Sequence, residues 1–281
     1  MLRQFLAEDI GYGDITTDAI VKHRTQAIGY VVCKETGVVA GIREARVLLQ
    51  IVGCEMTRAV QDGAIVKPRT RILYAKGPAH SLLKVERVLL NLLSHMSGVA
   101  TATHELVQLA EKSDGPVRIA CTRKTLPGLR YFEKRAVELG GGDTHRLRLD
   151  DMVLIKDNHL SIAGTIEKAV KLARSKNSFT KKIEVEVTNP DQALEAAKAG
   201  AEIVLLDNMQ PERILDTIKL LKTKRLRDRV ILEASGGIAK ENIASYLKSG
   251  IDIISVGKIT NSALSIDMSF ELQPIRKTKA T

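Results

Sequence analysis

The chain has 281 residues, 44% hydrophobic and 27% charged, with 43 Lys and Arg against 33 Asp and Glu for a formal charge of +10; that is ordinary globular composition and enough length for one large or two modest domains. Aromatic residues at 3% with no Trp argue against the exposed rings of a single-strand nucleic-acid platform, and no run reaches the ~18 apolar residues of a membrane span. Acids as early as Glu8 and Asp9 argue against a secretory signal, and Cys33, Cys54 and Cys121, far apart in the chain, read as reduced thiols of a cytoplasmic protein.

In chain order, residues 27–34 read as a strand rich in β-branched residues and 42–52 as a helix with Ala45, Leu48, Leu49 and Val52 on one side. Short strands follow near Thr57 and Ile72, parted by Asp62-Gly63 and Pro68. A long helix, apolar on most faces, is predicted over 81–112. After Pro116 strands at 117–121, 152–155, 183–187, 203–206, 230–232 and 253–256 alternate with helices near 131–139, 163–174, 190–199, 211–221 and 240–248. Strands and helices alternating at that length imply parallel βαβ units.

Each of these strands ends in polar or glycine chemistry: Thr122-Arg123-Lys124, Lys156-Asp157-Asn158-His159, Glu184 and Glu186 alternating with Ile183, Val185 and Val187, Asp207-Asn208, Ser235-Gly236-Gly237, and Gly257-Lys258. In a β/α barrel the carboxyl ends of all strands meet at one mouth, whereas an open sheet joins only those at its switch point. Six polar ends fit the barrel. Arg123 and Lys124, adjacent in an extended run, would point to opposite sides. His145 and Arg146 follow Gly140-Gly141-Gly142, a loop suited to folding over a ligand. With Lys156, these cations would repel one another unless a substrate with several anionic groups binds. Glu186 and Asp207 offer hard oxygen ligands for magnesium held through phosphates, or acceptors for ribose hydroxyls. Alternation can turn both Glu184 and Glu186 inward at different depths, and Glu186 lies nearer the mouth. Ser235-Gly236-Gly237, leading into a helix near Lys240, with Gly257 ending the next strand, reads as a phosphate cradle. Arg87 belongs to a polar stripe with Lys84, Asn91, Ser94 and Gly98 on the long apolar helix, facing a polar cavity or a partner. His23, His80, His95, His104 and His159 read as structural. The basic runs Lys222-Thr223-Lys224-Arg225-Leu226-Arg227 and Arg276-Lys277-Thr278-Lys279 read as solvated surface.

These motifs, together with Glu8-Asp9-Ile10-Gly11-Tyr12-Gly13-Asp14, Thr125-Leu126-Pro127-Gly128 and Glu233-Ala234-Ser235-Gly236-Gly237-Ile238, resemble the quinolinate phosphoribosyltransferase family along nearly the whole chain. The resemblance implies an α/β sandwich domain over 1–98, rejoined by 263–281, and an incomplete six-stranded parallel α/β barrel over 99–262. It implies transfer of phosphoribosyl from phosphoribosyl pyrophosphate to quinolinate with loss of carbon dioxide, a step of NAD biosynthesis. Arg123, His145 and Arg146 would hold the carboxylates, with Lys124 and Lys156 placed between ring carboxylates and pyrophosphate. Glu186 and Asp207 would hold the ribose and its Mg2+, and Ser235, Gly236, Gly237 and Gly257 the 5′-phosphate. Arg87 would enter the site of a partner subunit, so a homodimer is implied. Nicotinate phosphoribosyltransferases and a molybdenum-operon relative share the scaffold, but a monocarboxylate needs fewer cations. A Schiff-base role for Lys156 and RNA binding on net charge alone fit the residues less well.

Overall fold

The computed structural model describes residues 1–113 and 115–275, so the basic tail from Arg276 lies outside the described residues. The chain divides into two compact units: residues 1–102, 131–140 and 263–281 in one, and 103–130 with 141–262 in the other.

The first unit is built on α1 (Leu2–Ile10), α2 (Ile15–Ile20), β1 (Gln26–Cys33), β2 (Gly37–Val38), α3 (Ile42–Ile51), β3 (Glu55–Ala59), β4 (Ile65–Val66), β5 (Thr70–Pro78) and the first part of α4 (Ala79–Glu111). Its main sheet is antiparallel, in the order β12-β1-β5-β3, where β12 is Met268–Pro274 near the end of the chain. The final strand thus pairs with the first, Val31 opposite Phe270. The helix α3 starts at a glycine with no side chain to cap it, and Asp62 does the work from a distant turn: its Oδ1 accepts the amides of Gly41 and Ile42 at 2.8 and 2.9 Å. α4 buries Leu82, Leu89, Leu93 and Met96 completely; truncating any one to Ala would cost about 2–5 kcal/mol. The helix after the next strand, α5 (Arg130–Leu139), clusters here from Tyr131 on. Arg135 pairs with Glu44 at 3.1 Å and Asp62 at 3.2 Å, and Glu133, fully buried, meets His95 at 2.9 Å.

The second unit holds β6 (Arg118–Ala120), β7 (Val153–Ile155), α6 (Asp157–Ala163), α7 (Ile166–Lys176), β8 (Ile183–Val187), α8 (Pro190–Ala199), β9 (Ile203–Asp207), α9 (Pro211–Thr223), β10 (Ile231–Ser235), α10 (Ile243–Leu247), β11 (Ile253–Ser255) and α11 (Lys258–Asn261). Its six strands form one parallel sheet in the order β6-β11-β10-β9-β8-β7. The first strand lies beside the last and every other neighbour follows chain order, so the ring is closed except at one seam, between β6 and β7. This is an incomplete α/β barrel. Along the strands the pleat separates two faces. Val185, Val204, Leu206, Leu232, Ala234 and Ile254 are fully buried. The alternate residues run in register as Glu186, Leu205 and Glu233, then Asp207, Ser235 and Ser255, and grow more polar toward the carboxyl ends.

The seam corrects one expectation. The segment after Gly140-Gly141-Gly142 is not a free flap. Asp143 forms a parallel bridge with Ala120, donating its amide to the Ile119 carbonyl at 2.8 Å and accepting from Cys121 N–H at 3.0 Å. A single residue stands where a further strand would pair. Elsewhere α6 replaces the loop expected after Lys156, α7 starts later than read, and the helix expected over 240–248 shrinks to the five residues of α10. Asn242 is the reason: its side chain binds the Ala239 amide and the Gly237 carbonyl at 2.8 and 3.0 Å, holding 237–242 as a turn. In the basic run after α9, Arg227 is structural, ion-paired with Asp252 at 2.7 Å.

Gly98 sits where α4 meets the segment leading to β12. A Cβ there would overlap the carbonyl oxygen of Leu264 and lie 2.9 Å from its carbon. Gly98→Ala is expected to lower the unfolding free energy by about 1–3 kcal/mol, read as a lower urea midpoint with an unchanged slope.

Candidate active site

The carboxyl ends of the barrel strands gather most of the expected residues in the second unit. After β6 the chain bends rather than running extended. Lys124 N–H donates to Thr122 Oγ1 at 3.0 Å and Thr125 N–H to the Arg123 carbonyl at 2.9 Å, so the simple opposition expected of Arg123 and Lys124 does not apply. The Lys124 carbonyl is held by Thr260 Oγ1 at 2.7 Å, and its side chain lies across Gly257, where a Cβ would come 3.0 Å from Lys124 Cδ. The φ of Gly257 is −70°, a value any residue adopts, so this glycine makes room for the lysine stem. Arg123 Nε is buried without a hydrogen-bond partner among the described residues.

Lys156 ends β7 and pairs with Glu186 of the adjacent β8. Its amide donates to His159 Nδ1 at 3.0 Å, so His159 caps the start of α6 as a structural residue. Glu186 keeps 14% of its side chain exposed while Glu184, two residues deeper, keeps none. Asp207 ends β9 and accepts from Asn208 Nδ2 at 2.7 Å. Asn208 takes a left-handed φ of 52° and donates its amide to the Ser235 carbonyl at 2.8 Å, locking the ends of β9 and β10 together. Gly236 and Gly237 follow with φ of 92° and 63°. A side chain at Gly236 would fall on Asn208 Oδ1, whereas nothing lies within 4 Å of the Gly237 position. The cradle reading therefore keeps its open backbone turn and loses the helix terminus, since α10 is short and starts six residues on.

His145 has partners on both ring nitrogens. It has a left-handed φ of 51° and its amide donates to Asp143 Oδ1 at 2.7 Å. Its Nε2 lies 3.2 Å from Glu233 Oε2 and 3.5 Å from Glu184 Oε2, and its Nδ1 accepts the Arg146 amide at 2.7 Å. Both nitrogens are engaged within the chain. Burial draws its pKa down, but Glu184 and Glu233 outweigh that and it is pushed up to about 10. Burial raises the Glu184 pKa, against the pull of His145. Sequence reading quoted Glu233 without a role; its position opposite Leu205 on the inner face is a matter of register. Arg146 is 9% exposed. Burial first, then the nearby Arg123, hold its pKa below the ordinary arginine value, with Glu184, Asp151 and Glu186 opposing.

In the first unit's part of α4, Arg87 and Asn91 are the exposed residues among buried and half-buried neighbours. His80 bonds the Val21 carbonyl at 2.8 Å and stacks on His23, as structural histidines. A cavity of about 680 Å³ at the amino end of β6, lined by Val107, Pro116, Arg118 and Asp143 among others, includes none of the expected site residues. Among the described residues no helix is long and apolar enough to cross a membrane.

Residues 14–97 and 99–271 match the models of the N-terminal and C-terminal domains of quinolinate phosphoribosyl transferase. The chain is 48% identical over 276 residues to a probable nicotinate-nucleotide pyrophosphorylase [carboxylating] of Methanothermobacter thermautotrophicus, covering 98% of this chain and 99% of that one. It is 40% identical to the human nicotinate-nucleotide pyrophosphorylase [carboxylating] over 85% of this chain and 80% of the relative. Among solved structures, NadC from Streptococcus pyogenes superposes with a TM-score of 0.90 at 37% identity, over 98% of this chain and 96% of that one.

Gly236→Ala combines a left-handed φ with a clash against Asn208. A cost of about 1–3 kcal/mol is expected from the backbone alone, visible as a lowered melting temperature together with weaker binding of phosphorylated substrate.

Proposed function

We infer the reaction from one premise: this chain belongs to the quinolinate phosphoribosyl transferase family. It transfers phosphoribosyl from phosphoribosyl pyrophosphate to the ring nitrogen of quinolinate, releasing pyrophosphate and carbon dioxide and leaving nicotinate mononucleotide for NAD biosynthesis. The observation that supports the reading is the set of cations in the second unit: Arg123, whose Nε is buried without a hydrogen-bond partner among the described residues, Arg146, only 9% exposed, and Lys156 at the end of β7. A ring bearing two adjacent carboxylates matches cations so placed.

The pyridine nitrogen is a weak nucleophile, so the ribosyl carbon must develop cationic character as its bond to pyrophosphate breaks. Glu186, partly exposed and facing the mouth, stabilises that charge and the ribose hydroxyls, while Lys124 and Lys156 meet the departing pyrophosphate. After the N–C bond forms, the ring nitrogen is positive. The C–C bond to the adjacent carboxylate breaks, its electron pair stays on the ring carbon beside that nitrogen, and a solvent proton replaces the lost carbon dioxide. No protein nucleophile takes part. Glu186 and Asp207 fit magnesium: both are hard oxygen donors on neighbouring strands, and two carboxylates leave most of an octahedral shell to substrate oxygens and water. Bound there, the ion would neutralise pyrophosphate charge. The open turn at Gly236-Gly237 would receive the 5′-phosphate. The enzyme works in the cytoplasm as a homodimer, with exposed Arg87 entering the site of a second copy.

With magnesium and phosphoribosyl pyrophosphate, quinolinate is expected to give nucleotide and nicotinate to give none above background. Leaving one buried guanidinium unpaired costs about 2–5 kcal/mol. Equal turnover of both acids would remove the dicarboxylate reading.

The dimer is tested by complementation. Arg87→Ala and Lys156→Ala homodimers should each be inactive. After subunit exchange, half the dimers are mixed and each mixed dimer has one intact site, so about a quarter of wild-type activity should return. No recovery with exchange proven would leave Arg87 outside the partner's site.

A further inference from the structure

We propose that Asn242 is a positioning residue for the open turn after β10: its side-chain amide fixes the Gly237 peptide unit and so sets the direction in which the Ile238 N–H meets a phosphate. The proposal rests on the reaction inferred above, in which that turn receives the 5′-phosphate. Asn242 stands just before α10, where an asparagine side chain usually accepts an amide of the first helical turn. Here it makes no such bond. It reaches back instead. Oδ1 accepts the Ala239 amide at 2.8 Å, and Nδ2 donates to the Gly237 carbonyl at 3.0 Å. One partner can only donate and the other can only accept, so they also settle which end of the side-chain amide is which.

The glycines create the need for such a clamp. Gly236 and Gly237 have φ of 92° and 63°, and nothing lies within 4 Å of where a Gly237 Cβ would stand. A glycine peptide unit with no side chain to pack turns over easily. Gly236 is held from one side by Asn208, which donates its amide to the Ser235 carbonyl at 2.8 Å and sets its Oδ1 where a Gly236 Cβ would fall. At Gly237 the hold comes from Asn242 Nδ2. Across a trans peptide the C=O and the following N–H point in opposite directions. With the Gly237 carbonyl drawn to Asn242, the Ile238 N–H is turned away from it. The Ile238 side chain is 3% exposed and anchors the far end of the unit. The amides of Gly236, Gly237 and Ile238 meet no acceptor among the described residues. Successive free amides on a turn of this kind are what an anion binds.

Two substitutions separate this role from a plain turn bond. Asn242→Asp keeps an oxygen for the Ala239 amide but sets a carboxylate against the Gly237 carbonyl. Asn242→Ala loses both bonds. If Asn242 positions the turn, each variant should raise the KM for phosphoribosyl pyrophosphate about tenfold and leave the quinolinate KM within about twofold. If Asn242 only closes the turn at Ala239, Asn242→Asp should match the wild type. Ribose 5-phosphate carries the phosphate without pyrophosphate or ring, and its binding, measured by calorimetry, should weaken in parallel. Should either variant fail to fold, the wild type still decides. With carbon-13 at glycine carbonyls and nitrogen-15 in isoleucine, correlated amide signals arise from Gly41-Ile42, Gly237-Ile238 and Gly250-Ile251. The signal lost in Ile238→Val is expected to move on adding ribose 5-phosphate, and the other two to stay. A wild-type KM for phosphoribosyl pyrophosphate in Asn242→Asp, or an Ile238 signal that does not move, would overturn the proposal. Wild-type enzyme whose Ile238 signal responds but which makes no nucleotide from quinolinate would instead sink the reading of the reaction and leave the role of Asn242 standing.

Discussion

A strand in an α/β barrel must satisfy two environments at once. Its outer face lies under helices and admits only apolar side chains, and its inner face narrows to a space where any charge must be matched. Alternation along the chain lets one strand do both. In β8 the residues Ile183, Val185 and Val187 lie on the buried apolar face, and Glu184 and Glu186 on the other. The depth of the inner face then sorts the acids. Glu184 is sealed and meets an imidazole, whereas Glu186 reaches Lys156 near the mouth. Two identical side chains thus serve different ends because they lie one strand repeat apart.

Much of this was legible in the sequence because it depends on local period. The six barrel strands and the long helix α4 stand out as β-branched runs and as a leucine-rich stretch. The terminal residues of the strands, Lys156, Asp207 and Ser235 among them, announce a mouth once the βαβ rhythm is seen. Less visible were features set by contact at a distance. α1 and α2 are short and bury one side chain each, Leu6 and Thr17, and α2 is started by Asp14, whose side chain accepts from Thr17 N–H at 3.0 Å. α6 hides behind a polar tetrapeptide until His159 is seen to cap it. At Gly257 a Cβ would stand 3.0 Å from Lys124 Cδ. His145 meets Glu233 and the Arg146 amide, partners far and near in the chain. In each case the sequence names the right residue, and only the fold says what it touches.

Electrostatics gives the mouth its chemical character. The cations come from the ends of β6 and β7 and from the segment beyond Asp143, and the acids from β8 and β9. Arg146 is bracketed by Arg123 on one side and by Glu184, Glu186 and Asp151 on the other. Cationic and anionic groups therefore meet at one set of strand ends.

The gap between β6 and β7 gives the barrel a mechanical property that a closed ring lacks. Hydrogen-bonded strands resist shear together, so a split ring concentrates its compliance at the split. Here one residue, Asp143, bridges to the free edge of β6, and Arg146 sits three positions along the same segment. β8, β9 and β10 are each paired along both edges, so the acids at their ends stand on fully bonded wall, while Arg146 follows a segment joined to the sheet at a single residue.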